Sequence, residues 1–382
     1  MAPGMRLSNC YIRLLRHGFE CKCPELPKPP TPINRRTFIA LSTALCATRS
    51  WIARSAPSGS KPKVGLCNFS CKTQWQAIRE GRADAAFSDA KTFYDYSRKL
   101  GGDGVQTSVR ELSSADAYSI RDHVEKTGGY FEGDVQFPKK EGDLPQFEAE
   151  LTRVRETGAT VARVVLMGGR RYEVFKSLDE FNTFHRDSIR RLELAEPLAS
   201  KHRVKLAIEN HKDLLVDEQL KVLKKFDSEW LGVLVDTGNN IAMCEEPYEV
   251  IDALAPYVLS VHLKDMTVQP SNDGFLLSEV PFGTGFLDLE RIVGTLAKSN
   301  PFADFHVEMA TRDPLSVPCK TDGYWAVFPR RRESDLKRTL SMVAAHPPKQ
   351  PPPKVSGLSF EETLIEEERN NGASLDWANR HV

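Results

Sequence analysis

The sequence predicts a closed (β/α)8 barrel, an α/β fold. Three observations carry that expectation: eight short runs rich in β-branched residues, longer amphipathic segments between them, and no glycine-rich phosphate loop after the first run. The runs are 64–70, 104–109, 130–137, 161–167, 204–209, 231–236, 258–262 and 305–308. Segments such as 85–99, 145–157, 179–200, 214–225, 247–254 and 287–298 read as helices, several opened by Ser, Asp or Pro and closed by Gly or a basic turn. A doubly wound open sheet also alternates strand and helix, but it normally marks its ligand site with G-x-G-x-x-G in the first turn. Cys67-Asn68-Phe69-Ser70-Cys71 has no such pattern, and no P-loop lysine motif occurs anywhere. Eight alternations favour closure.

Composition bounds the rest. With 40% hydrophobic and 27% charged residues, the 382-residue chain can bury a sizeable core and is neither a disordered polymer nor a collagen-like repeat. Lys+Arg 52 balance Asp+Glu 52, which removes the simplest electrostatic case for binding nucleic acid. The balance hides an asymmetry: residues 1–60 carry +7 and the remainder −7. We divide the chain into a leader at 1–60, the barrel at 61–345, and a Pro-rich linker with an acidic tail at 346–382. The tail is expected to dock back or to pack on a partner subunit, in keeping with a homo-oligomer. Within the leader, Arg35-Arg36 precede the apolar stretch 38–47, which resembles a twin-arginine export signal. Export to the periplasm is therefore expected, with a cytoplasmic location as the alternative. No apolar run reaches the roughly 18–20 residues of a membrane-spanning helix. The eight cysteines show no zinc-ribbon spacing, and no disulfide is assigned.

Four strand ends share one grammar, an apolar run that ends in a metal-ligand type: Ile208-Glu209-Asn210-His211, Val235-Asp236-Thr237-Gly238-Asn239, Val261-His262-Leu263-Lys264-Asp265 and His306-Val307-Glu308-Met309. In a barrel all strands point their C-terminal ends at one face, so Glu209, Asp236, His262 and Glu308 are expected to converge. Clustered carboxylates repel one another and resist burial unless a cation joins them. Three carboxylates and an imidazole suit Mn2+ or Mg2+, with Co2+ or Zn2+ also compatible.

These segments, with Pro281-Phe282-Gly283-Thr284-Gly285-Phe286-Leu287-Asp288-Leu289, resemble the xylose isomerase-like barrels, which include sugar isomerases, ketose 3-epimerases, inosose dehydratases and the endonuclease IV nucleases. The resemblance covers roughly 64–340. It implies that Glu209, Asp236, His262 and Glu308 hold one divalent metal, commonly Mn2+, and that the two glutamates serve as acid and base. Asn239 departs from the pattern, because many epimerases and the nucleases have a histidine there. Val105-Gln106-Thr107-Ser108 and Phe131-Glu132-Gly133-Asp134 also lack the extra histidines of the nucleases, so a nuclease is not expected.

A metal chelating a carbonyl oxygen and the neighbouring hydroxyl stabilises the enediolate formed when their shared region loses a proton. The expected activity is sugar isomerisation or epimerisation, with Glu209 and Glu308 as the proton-transfer pair on opposite sides of the metal. The alternatives are a keto-sugar or inosose-type dehydratase or lyase on the same site, and a non-catalytic exported sugar-binding barrel. Candidate substrate-binding residues are His211 and Lys264 beside the ligands, Arg170 in the loop after the fourth run, and Arg312 and Trp325 in the insertion 310–328, which reads as a sugar-stacking lid.

Overall fold

The computed structural model describes residues 61–382. The leader, with Arg35-Arg36 and the export expectation, lies outside the described residues. Eleven strands occur among the described residues: β1 Val64–Cys67, β2 Gly104–Ser108, β3 Tyr130–Asp134, β4 Val161–Val164, β5 Lys205–Glu209, β6 Leu231–Asp236, β7 Val258–Leu263, β8 Asp265–Pro270, β9 Phe275–Val280, β10 Asp304–Val307 and β11 Leu315–Val317. Eight of them close into a parallel barrel in the order β1-β10-β7-β6-β5-β4-β3-β2, with β2 back against β1. All eight expected runs are barrel strands, mostly shorter than the runs themselves. After Cys67, for example, the chain turns into a 3-10 helix, Asn68–Cys71, and the Ser70 hydroxyl donates to Val307 O at 2.6 Å across the β1–β10 seam.

Local chemistry sets the helices. Ser113 and Asp116 form a reciprocal capping box at the start of Ser114–Thr127, and Gly128 ends that helix at φ +72°, a conformation that costs glycine little. Ser177 caps the long helix Leu178–His202, and Asp89 with Thr92 caps Ala90–Lys99. The apolar faces of these helices bury Phe93, Leu192 and Ala195 against strand residues such as Leu66, Val105 and Leu206.

Two features add to the expectation. First, β8, β9 and β11 form a separate antiparallel sheet inserted after the C-terminal end of β7. It begins one residue beyond β7, so only Lys264 separates the barrel ladder from the inserted one. Second, the acidic segment is a helix, Phe360–His381, packed on β1, β10 and the helix Lys72–Arg79. It covers the seam where the barrel closes, the place of an eighth barrel helix. Glu367 explains why an acidic helix sits there: its carboxylate accepts Thr73 N at 2.7 Å and Gln74 N at 3.0 Å, satisfying donors at the start of Lys72–Arg79. Asn371 donates to Ser70 O at 2.8 Å, while Leu364, Leu375 and Ala378 supply the apolar contact. Among the described residues Cys67, Cys71, Cys244 and Cys319 are buried and unbridged, and no helix is long and apolar enough to cross a membrane.

Candidate metal centre

Parallel register brings the four expected ligands together. Asp236 on β6 pairs in register with His262 on β7, and His262 with His306 on β10, whose strand leads into Glu308. Glu209 ends β5 on the far side of β6. Ligand atoms of Glu209, Asp236, His262 and Glu308 all lie within 4.8 Å of one another, and the side chains are almost entirely buried.

The surroundings fix each ligand. Gln106 Oε1 accepts from His262 Nε2 at 2.7 Å, and Gln106 in turn donates to Glu132 at 2.6 Å. An acceptor at Nε2 puts the ring proton there and leaves Nδ1 as the ligand atom. That Nδ1 lies 2.5 Å from Glu308 Oε2 without hydrogen-bond geometry, and both atoms lack a hydrogen-bond partner among the described residues. Asp236 Oδ1 accepts Gly238 N at 3.0 Å and Asn239 N at 3.1 Å. Asn239 stands where the resemblance led to a histidine: its Nδ2 donates to Asp236 Oδ2 at 2.7 Å and to Glu209 Oε1 at 3.1 Å, tying two ligands together. An orphaned imidazole nitrogen aimed at clustered carboxylates fits a divalent ion.

Charge is compensated by four cations. Arg163 on β4 donates to Glu209 Oε2 at 2.7 Å and to Asp134 Oδ1 at 2.9 Å, under the half-exposed ring of Phe69. Lys264 Nζ lies 2.8 Å from Asp236 Oδ2 and 3.1 Å from Glu308 Oε1. Lys212 donates to Asn239 Oδ1, which also accepts from Lys264 at 3.2 Å. Arg312 donates to Glu279 Oε2 at 3.1 Å, and Glu279 lies 3.8 Å from Lys264. Burial alone would raise Glu209 and Glu308, yet Arg163 and His211 hold the first, and Lys264 and His262 the second, below the ordinary carboxylate range. Burial outweighs Lys264 at Asp236 and pushes it up to about 6.

Of the expected substrate-binding residues, Lys264 and Arg312 belong to this cluster. His211 faces it electrostatically, with a buried Nδ1 that has no hydrogen-bond partner among the described residues. Two expectations are corrected. Trp325 is no open stacking platform: it is buried against Tyr324 and Phe328, and its indole N–H donates to Cys319 O at 2.7 Å. Arg170 pairs with Glu173 of its own turn at 2.6 Å, while the adjacent Arg171 is wholly buried, bonded to Val327 O and Glu218. Beside the cluster, a cavity of about 860 Å3 opens at the ends of β2, β3 and β4, bounded by Asp134, Arg163, Met167 and Gly168. Arg163 is common to both, one face on the cavity and one on Glu209. Arg163, Lys212, Gln106 and Glu279 escaped the sequence reading, because none ends a run in the ligand grammar.

Comparison with known proteins agrees with this architecture. The chain is 32% identical over 102 residues to the 3-oxo-isoapionate decarboxylase of Pectobacterium atrosepticum, 26% of this chain and 37% of that protein. It is 28% identical over 166 residues to the L-ribulose-5-phosphate 3-epimerase UlaE of Escherichia coli, 41% of this chain and 55% of that protein. The chain thus spans between about a third and about half of the length of these curated relatives, which are enzymes. The crystal structure of D-psicose 3-epimerase with D-tagatose from Clostridium cellulolyticum H10 superposes with a TM-score of 0.55 at 15% identity, over 84% of this chain and 99% of that one, and shares its fold. The family model of the xylose isomerase-like TIM barrel matches residues 94–326, more than half of the chain, and the chain belongs to that family.

Proposed function

We propose that this protein is a divalent-metal-dependent sugar isomerase or epimerase that moves a proton at a carbon next to a carbonyl group. The observation that carries the reading is the convergence of Glu209, Asp236, His262 and Glu308, with His262 Nδ1 toward them and without a hydrogen-bond partner among the described residues. A divalent ion held there, Mn2+ by the character of the donors, would polarise a carbonyl oxygen and acidify the neighbouring C–H. The side chains supply the rest. Glu209 and Glu308 come from β5 and from the end of β10, with β6 and β7 between them, so they reach a bound sugar from separated directions. Arg163 and Lys264 keep both ionised, the state required of a base. His211 Nδ1 is placed to hold a sugar hydroxyl, and the cavity beside Arg163 gives the remainder of a small sugar room.

The epimerase relative supports this reading. The match to a decarboxylase favours a second one, a lyase on the same site. Loss of carbon dioxide from a 3-oxo acid leaves an electron pair beside the carbonyl, and a proton drawn from solvent and passed on by one of the two glutamates would then quench it. A dehydratase would instead expel a β-hydroxyl. Elemental analysis of the purified protein should find one divalent ion per chain, and solvent deuterium should enter one C–H position of a ketose or oxo-acid substrate. Two or three ions, or no exchange with any such compound, would sink the reading.

Gln106 provides a finer check. Gln106→Leu removes the acceptor that orients His262, and the affinity for the ion should fall about 10–100-fold. Competition with a chromophoric chelator measures it; an unchanged affinity would show that the ring is held by packing alone.

A further inference from the structure

The cluster holds more positive charge than a neutral sugar would need. Four carboxylates, Glu209, Asp236, Glu279 and Glu308, meet four cations, Arg163, Lys212, Lys264 and Arg312. They balance without any ion. Asp134 adds one negative charge on the outer side of Arg163. Binding a divalent ion among Glu209, Asp236, His262 and Glu308 therefore turns the centre net positive. It also draws on the same oxygens that now face Lys264, Asp236 Oδ2 at 2.8 Å and Glu308 Oε1 at 3.1 Å.

Lys212 sharpens the point. It is 5% exposed and Lys264 is 1% exposed, yet both ammonium groups converge on one neutral oxygen, Asn239 Oδ1. Two like charges sharing one amide oxygen in a dry site repel each other, and Lys212 has no carboxylate of its own within ion-pair distance among the described residues. An anion settling between them would relieve that repulsion and balance the ion.

We propose that the substrate is a keto sugar carrying a carboxylate, and that Lys212 and Lys264 bind the carboxylate beside the metal. The inference rests on the metal-dependent reading above and adds the substrate class. A carboxylate suits the place better than a phosphate: a flat monoanion with two oxygens matches two ammonium groups in an almost closed site, whereas a tetrahedral dianion demands more donors and more room.

The test is calorimetric binding to the Mn2+-loaded protein of a matched pair, 5-keto-D-gluconate and L-sorbose, which differ only by a carboxylate in place of a hydroxymethyl group. D-ribulose 5-phosphate serves as the phosphate arm. The keto acid should bind at least about tenfold tighter than L-sorbose, the margin expected of charge-assisted hydrogen bonds. Lys212→Met should shrink that preference to within about threefold by weakening the keto acid far more than L-sorbose, and Lys212→Arg should keep most of it. Equal affinity for the pair, tighter binding of the phosphate, or equal losses for both sugars in Lys212→Met would overturn the inference and leave the metal-dependent reading standing. A protein that takes up no divalent ion would remove that reading, and this inference with it.

Discussion

Replacing Glu308 by Gln should lower turnover by about 10²–10⁴-fold, the scale of a lost acid or base. The amide keeps the size of the side chain and one oxygen for the ion, so ion content should fall less than in Asp236→Asn. The loss should appear in kcat more than in KM, since a proton-transfer group acts in the transition state rather than in ground-state binding. Glu209→Gln should behave alike, although there Arg163 keeps Asp134 as its remaining carboxylate partner. In an epimerase, each single variant should still exchange the substrate proton with solvent from one face without inverting the centre. Near-normal kcat in both variants on the true substrate would remove the pair from the mechanism.

The second large effect lies away from the chemistry. Leu375 is 1% exposed in the helix Phe360–His381, against the β1–β10 seam, and Leu375→Ala should cost about 2–5 kcal/mol. Ile365, on the same helix but 69% exposed, is the control, and its alanine variant should change stability by less than about 0.5 kcal/mol. Deleting 359–382 removes Leu364, Leu375 and Ala378 together with the Glu367 cap, a loss of the order of a domain's whole stability. Denaturant unfolding of the point variants and soluble yield of the deletion measure these effects. A deletion that folds and melts as the full chain does would show that the seam closes without this helix.

How far the sequence could be read follows from the range of each interaction. Barrel strands announce themselves locally, through β-branched runs, and the four ligands do so because each ends such a run. Arg163 could not be read in that way: its partner Glu209 lies 46 positions away, and an arginine in mid-strand carries no sign of what it faces. Gln106 and His262 are 156 positions apart and meet only because β2 and β7 cross the same barrel interior. The inserted sheet did leave a trace, since Ser271-Asn272-Asp273-Gly274 between two alternating runs is a hairpin signal. The acidic tail could be read as a docking segment but not its place, since nothing local marks Glu367 as the cap of a helix 294 positions away. Trp325 misled, because an aromatic cluster in a loop reads equally as a lid and as rim packing.

The single residue between β7 and β8 has an engineering consequence. The barrel ladder stops at Leu263 and the inserted ladder starts at Asp265, whose carboxylate takes Met266 N, Gly285 N and Leu287 N and so anchors the return to the barrel. Gly285 is required at that anchor, since a Cβ there would fall 2.1 Å from Asp265 Oδ1. The segment between Met266 and Gly285 is thus an insertion clasped at Asp265 and braced by β11 along β9. Length changes confined to the turn at Ser271–Gly274 leave the register of His262 with Asp236 and His306 intact, whereas changes at Glu279, which holds Arg312, reach the buried cluster.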